Sequence, residues 1–316
     1  MTPDTPLAHW DDVERVRRDA GDIRAWVRRL GAAAGASAVG VARFDIDPGR
    51  RPGPVHVHES EEEIFFVLSG SGLAWLDGAV HEIGPGDTIV CRAGGPLHTF
   101  VAGPDGLSVL AYGENHAPPL VRMPRAGLIR RGPVVLEASS ADPIERDAAA
   151  GPLEVPDPTP RPSCIVALDD VTPEMMDEGK FADSSRALGL AAGSERSGLN
   201  HAVMEAGKWS CPPHWHGAEH ELFVILEGTA DLLLFDNQGQ QVEEHALRAG
   251  HCVARPGPNR QKLAHALRGG PEGVTYLVYG TRRPDEIVYY PVSRKAWLGS
   301  VLVRLELADD YWEGEV

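Results

Sequence analysis

Apolar positions in this chain fall mostly into short runs bounded by Gly, Pro and Asp, a spacing that predicts antiparallel strands rather than helices. The run Glu62 to Leu68 closes at Ser69-Gly70-Ser71-Gly72, and Leu73 to Leu76 ends at Asp77-Gly78. Thr88 to Cys91 follows Gly84-Pro85-Gly86-Asp87, and Leu107 to Tyr112 stops at Gly113. Asp77-Gly78 has the composition of a two-residue hairpin turn, because both positions tolerate positive φ. One stretch departs from this rhythm. Between Asp11 and Leu30, Val13, Val16, Ile23, Trp26, Val27 and Leu30 recur at roughly helical spacing among charges, which predicts an amphipathic N-terminal helix interrupted at Gly21 and covering a sheet edge.

The strand-rich pattern occurs twice. Arg28, Leu30, Gly31, Gly40 and Gly49 recur 158 residues later as Arg186, Leu188, Gly189, Gly198 and Gly207, and the register continues through Phe65 and Gly70 to Phe223 and Gly228. After two short insertions it resumes at 167, where Gly103, Gly106, Leu110, Tyr112 and Gly113 match Gly270, Gly273, Leu277, Tyr279 and Gly280. A period this long fits a duplicated domain and not a solenoid. The expected organisation is an N-terminal helical segment (1–27), a first β domain (28–137), a linker and entry segment (138–185), and a second β domain with a C-terminal extension (186–316). Pro143, Pro152, Pro156, Pro158, Pro160 and Pro162 make the linker stiff and argue against helix within it.

Composition sharpens the picture in four respects. The 35 Gly and 26 Pro exceed the roughly 22 and 16 expected of an average chain of 316 residues, consistent with many turns between short strands. A formal charge of −16, from 30 Lys and Arg against 46 Asp and Glu, opposes binding to nucleic acid and to anionic membranes. No uninterrupted apolar run approaches a membrane span and the first twenty positions are heavily charged, so a cytoplasmic protein without a signal peptide is expected. The four Cys are widely separated and are expected to be reduced.

The chemistry lies in a His/Glu constellation carried by both copies. In His56-Val57-His58 a strand would point both imidazoles to one face; Glu63 follows five residues after His58, and His98 lies beyond a Gly-rich loop on a later strand. Three neutral imidazoles and one carboxylate suit a divalent transition metal, Fe, Mn, Zn, Ni or Cu, while leaving coordination positions open. A lone His-x-His pair is as often ordinary surface or core histidine. The second copy, however, repeats all four donor types as His214, His216, Glu221 and His265. Among weaker features, Arg92 and Arg255 read as partners of surface carboxylates rather than substrate clamps. Glu61, Glu62, Glu219 and His220 read as solvated, or as partners that orient the ligands. No phosphate-binding Gly loop, nucleophile elbow or Ser/His/Asp motif is present.

Gly49…His56-Val57-His58…Glu63…Gly70 and Gly207…His214-Trp215-His216…Glu221…Gly228 resemble the first cupin motif, and Gly86-Asp87…Gly94-Gly95-Pro96-Leu97-His98 resembles the second. Tyr289-Tyr290-Pro291 and Tyr311-Trp312-Glu313-Gly314-Glu315 are similar to the ends of a bacterial bicupin group. The resemblance implies an all-β bicupin of two tandem jelly-roll β-barrels, each holding one divalent metal through three His and one Glu. In the second copy, strict counting from Pro256 puts Gln261 at the fourth ligand, whereas the downstream register through Gly270-Pro271, Gly273 and Tyr279-Gly280 selects His265. The resemblance further implies a metal-dependent enzyme for a small organic acid or aromatic compound, with an Fe(II) dioxygenase as the first reading. The alternatives are a non-redox Mn or Zn isomerase, decarboxylase or cyclase, and a bicupin that binds a small molecule without turnover. The family's open barrel faces also leave room for a homodimer.

Overall fold

Alternation, not helical spacing, governs the N-terminal segment. Ile23, Ala25 and Val27 are buried while Arg24, Trp26 and Arg28 face outward, so Ile23–Arg28 is a strand that pairs with Val16–Ala20 through a hairpin at Gly21, where φ is +57°. Arg15 and Arg17 lie over the outward Trp26 ring, with guanidinium carbons 4.7 and 5.1 Å from its centroid. The predicted N-terminal helix is therefore corrected to a β-hairpin. The apolar positions fit both periods until Ala25 is counted as core, and the sheet supplies the burial that decides between them. Only the turn Leu30–Ala33 is helical there.

The computed structural model describes residues 7–115, 119–131, 134–135, 142–257 and 263–305. Among these, each copy forms one eight-stranded and one four-stranded sheet. In the first lobe the larger sheet runs Ile165–Val166, Thr88–Cys91, Glu63–Leu76, His98–Glu114, Val39–Ile46, Ile23–Arg28, Val16–Ala20, with Ala79–Ile83 joined to the far half of Glu63–Leu76. The smaller one runs Val134–Val135, Leu128–Arg131, Leu120–Met123, Val57–His58. The second lobe repeats this plan around Glu221–Phe235 and Ala264–Thr281. The hydrogen-bonded order is an open path in every sheet, so the expected closed barrels are corrected to paired open sheets.

Long central strands cross both halves of each larger sheet, and glycine lets them do so. Register shifts interrupt Glu63–Leu76 between Gly70 and Gly72, and Glu221–Phe235 between Gly228 and Ala230. A Cβ on Gly70 or Gly228 would stand 2.2 Å from the Gly106 or Gly273 carbonyl oxygen, which accounts for their recurrence in both copies. The Asp77-Gly78 hairpin turn is present, with φ of 47° and 92° between the paired Leu76 and Ala79.

The lobes are joined by more than a linker. One apolar cluster draws Leu30, Val41, Ile64 and Leu110 from the first copy and Leu188, Leu199, Leu222 and Leu277 from the second. At its heart the repeat-equivalent Tyr112 and Tyr279 rings stack with centroids 5.4 Å apart. Sheet edges are also exchanged. Leu7–His9 pairs with His251–Arg255 of the second lobe, and its repeat equivalent Ile165–Val166 pairs with Thr88–Cys91 of the first. Within the linker, Pro143 does not block helix formation. It occupies the first turn of Pro143–Ala149, where its missing N–H is no loss, and the Asp142 side chain accepts from the Ile144 N–H at 2.8 Å.

Candidate metal centres

Each centre is assembled between the two sheets of its lobe. Glu63 opens the strand Glu63–Leu76 and pairs in register with Cys91 and Gly113, while His98 opens His98–Glu114. His58 lies on the facing sheet against Val121, and His56 reaches across through a bridge to His98. Alternation on these strands aims all four polar ends into one space. Glu63 Oε2 stands 3.0 Å from His98 Nε2, 3.4 Å from His58 Nε2 and 3.6 Å from His56 Nε2. In the second lobe Glu221 Oε2 is 3.0 Å from His265 Nε2 and 3.2 Å from His216 Nε2, and His214 Nε2 lies 3.1 Å from His216 Nε2. The structure thus brings together all eight residues singled out in the sequence. Gln261 lies outside the described residues, as do Tyr311 to Glu315.

The outward nitrogens explain why the inward ones are available. Nδ1 of His56, His98 and His214 faces the carbonyl two residues earlier, of Pro54, Pro96 and Pro212, at 3.0, 3.1 and 3.0 Å. A donor Nδ1–H in that contact leaves the Nε2 lone pair pointing inward. His58 Nδ1 meets the buried Glu61 at 2.6 Å. In the second lobe Glu219 occupies the repeat-equivalent position but is 3.9 Å from His216; Glu286 takes its place at 3.2 Å and also accepts from the backbone N–H groups of residues 217, 218 and 219. Glu61, for which a solvated position is the default reading, is instead buried as an orienting partner, and Glu286 carries no signal in the sequence because it comes from a loop 70 residues away. The Pro-x-His spacing was a usable signal that sequence reasoning passed over. Phe65 and Phe223 pack edge-on against His98 and His265, both at 5.6 Å between centroids, and fix those rings from the core side.

Electrostatics run in parallel at the His-x-His pair and the carboxylate of each lobe but diverge at the third imidazole. In the first lobe burial is there outweighed by Cys91 and Glu63, which hold His98 well above its ordinary value. Burial lowers the pKa of the first imidazole of each pair, His56 and His214. At the second, burial is outweighed by carboxylates: Glu63 and Glu61 raise His58, and Glu221 with Glu286 lift His216 to about 10. Burial opposes ionisation of Glu63 and Glu221 too, yet the adjacent imidazoles hold both carboxyls well below the usual range. Burial pushes His265 down to about 3. The donor set is therefore a half-buried carboxylate ringed by imidazoles, with a proton shared where a cation would sit.

The donor sets fit a divalent cation. Ligand atoms of His56, His58 and Glu63, and separately of His214, Glu221 and His265, lie within 4.8 Å of one another. Glu221 Oε2 and His265 Nε2 are buried and complete no hydrogen bond, an arrangement costly to leave unmet and satisfied by coordination. Arg255, expected at the surface, is instead buried opposite Glu221 in register, with its Nη2 donating to the Leu263 carbonyl at 2.5 Å. Burial lowers its pKa to about 10. Arg92 does reach a carboxylate, Glu195 of the other lobe, at 2.7 Å.

The first centre opens into a cavity of about 350 Å³, with apolar walls and Arg18, Arg29 and Arg130 among its lining residues.

Comparison with known proteins agrees with this architecture. Residues 42–111 match a family model described as Cupin domain, and residues 198–299 match one described as Cupin. Among solved structures, the oxalate decarboxylase of Bacillus subtilis at pH 4.6 aligns over 86% of this chain and 75% of its own, at 17% identity and a TM-score of 0.57. A Lactobacillus farciminis oxalate decarboxylase in complex with formate aligns over 87% and 86%, at 14% identity and a TM-score of 0.59. At these identities the likeness is one of fold. No curated protein matches the chain in sequence.

Proposed function

The chain belongs to the cupin superfamily as a bicupin, and from that premise we propose that it is a metal-dependent enzyme acting on a small organic acid, a non-redox decarboxylase in its first reading. The observation that carries the proposal is the pair of partly buried three-imidazole, one-carboxylate clusters whose Nε2 atoms converge on Glu63 and Glu221. His56, His58, Glu63 and His98 would hold one cation, and His214, His216, Glu221 and His265 another. A divalent ion such as Mn held there would supply Lewis acidity, stabilising negative charge that develops on the substrate.

The protein's own contribution is orientation and dryness. Pro54, Pro96 and Pro212 carbonyls, Glu61 and Glu286 fix the imidazole planes, and Phe65 and Phe223 back them. Phe44, Phe65, Phe100 and Val109 in the first cavity's lining limit the water around the ligands, which strengthens charge interactions within. The decarboxylase reading is placed ahead of an Fe(II) dioxygenase because the solved structures sharing this two-lobed fold are named oxalate decarboxylases.

The test is turnover of Mn-loaded protein on a panel of carboxylic acids under argon and under air, with released carbon dioxide followed by isotope label. Equal release in both atmospheres is the expected result. Turnover that requires oxygen would replace this reading with the oxygenase. Absence of turnover by fully loaded protein across the panel would count against an enzyme.

A further inference from the structure

The hairpin Val16–Ala20 and Ile23–Arg28 carries an uneven distribution of ion pairs. Arg17 pairs with Asp47 at 2.6 Å, Arg24 with Asp19 at 3.0 Å and Arg28 with Asp45. Arg18 and Arg29, which line the first-lobe cavity, do not follow this pattern. Arg18 donates to the Pro52 carbonyl at 2.8 Å and lies over the Phe44 ring, 5.3 Å from its centroid. Arg29 has no ion-pair partner among the described residues. Burial, and then the like charge of Arg29, pull the Arg18 pKa below its ordinary value, while Asp142 offsets part of this. In a chain with 46 acidic residues, two guanidinium groups that line one cavity without a directly paired carboxylate are an available anion site.

Glu61, Thr99, Glu114, Asn115 and Arg130 also line the cavity, and most of the rest of its lining is apolar. Phe44, Ile46, Phe65, Phe100, Val109 and Met123 face the same cavity as His56, His58, Glu63 and His98. Its volume of about 350 Å³ lies within the range typical of organic-ligand pockets and leaves room beyond a two-carbon dianion. The chemistry is confined to one lobe: the repeat equivalents of Arg18, Arg29, Phe44 and Arg130 are Met176, Ala187, Ala202 and Trp297.

We propose that the first lobe takes organic acids with an apolar, preferably aromatic, body, whose anionic group is held by Arg18 and Arg29 while the body lies against Phe44, Phe65 and Phe100. This deepens, and rests on, the reading of that lobe as an organic-acid enzyme. The arginine pair and the apolar wall select such acids over oxalate.

The experiment is calorimetric titration of the full chain with 3-phenylpropanoate, 3-phenylpropan-1-ol and oxalate, as purified and again after removal of metal with EDTA. The metal-free chain is expected to bind 3-phenylpropanoate at one site, at least about 10-fold more tightly than the alcohol or oxalate, a difference of about 1.4 kcal/mol. Arg18→Gln and Arg29→Gln are each expected to weaken the acid about 10-fold and leave the alcohol unchanged. Arg29 is exposed, so its variant tests the idea without disturbing the hairpin core. Equal affinity for acid and alcohol, or acid affinity unaltered in Arg29→Gln, would overturn the proposal. Metal content of the same samples reads the enzyme proposal separately: arginine-dependent binding by a chain unable to hold a cation would sustain the anion site and remove the metal-enzyme reading.

Discussion

At the scale of single residues, the account turns on protons that share space with a cation. His216, lifted to about 10 by Glu221 and Glu286 against burial, stays charged in the metal-free protein at neutral pH. Its contribution to stability is complete below the unfolded value of about 6.5 and is lost as pH rises through about 10. Glu221, held well below its ordinary value, has the opposite sense: its contribution is present above about 4.5 and is lost on acidification. A cation entering at pH 7 must displace the imidazole proton, so metal uptake should release protons and apparent affinity should rise with pH. Titration in buffers of different ionisation enthalpy will register that release; an uptake heat independent of buffer would count against coordination by His216. The eight candidate ligands stand out in the sequence because duplication repeats them while much else diverges. Glu286 does not, since its role depends on a loop folding back over 70 residues and has no counterpart in the first copy.

Among elements, the linker helix Pro143–Ala149 does more than connect the lobes. Its Asp147, wholly buried, accepts from Arg51 Nη2 at 2.5 Å and from the Val55 N–H at 3.1 Å, one residue before His56. Arg51, 1% exposed, is shared with Asp22 at 2.7 Å. Removing one partner of such a group strands a buried charge, so Asp147→Ala should lose about 3–5 kcal/mol of stability, measured by denaturant unfolding. Metal affinity should fall in the first lobe and hold in the second; equal losses would mean that Asp147 serves general stability and not the His56 loop. This helix and the N-terminal hairpin are the elements that the sequence concealed. Pro143 looked like a helix breaker until its place in the first turn was known, and Ala25 was too small to mark the two-residue period that Ile23 and Val27 complete. The Asp77-Gly78 turn was readable because its residues tolerate the positive φ that it adopts.

Across the whole molecule, the duplication is visible in sequence as a constant offset, but the exchange of edge strands is not, because Leu7–His9 and Ile165–Val166 are too short to reveal their partners. The lobes are further fastened by Glu62, 1% exposed, which accepts from the Ser194 and Ser197 hydroxyls at 2.5 and 2.6 Å and from the Glu195 N–H at 3.0 Å. With that clamp and the shared core, both lobes should unfold in one transition. Glu62→Ala should lower stability by about 2–3 kcal/mol, since it leaves buried donors unmet. Two resolved transitions in the wild-type chain by calorimetry would show the lobes to be independent. The central claim, that each lobe holds one divalent ion through three imidazoles and a carboxylate, is tested most directly by metal stoichiometry of the intact chain and of His98→Ala, His265→Ala and the double variant. Two ions per chain, one in each single variant and none in the double variant are predicted. Stoichiometry unchanged by either substitution would contradict it.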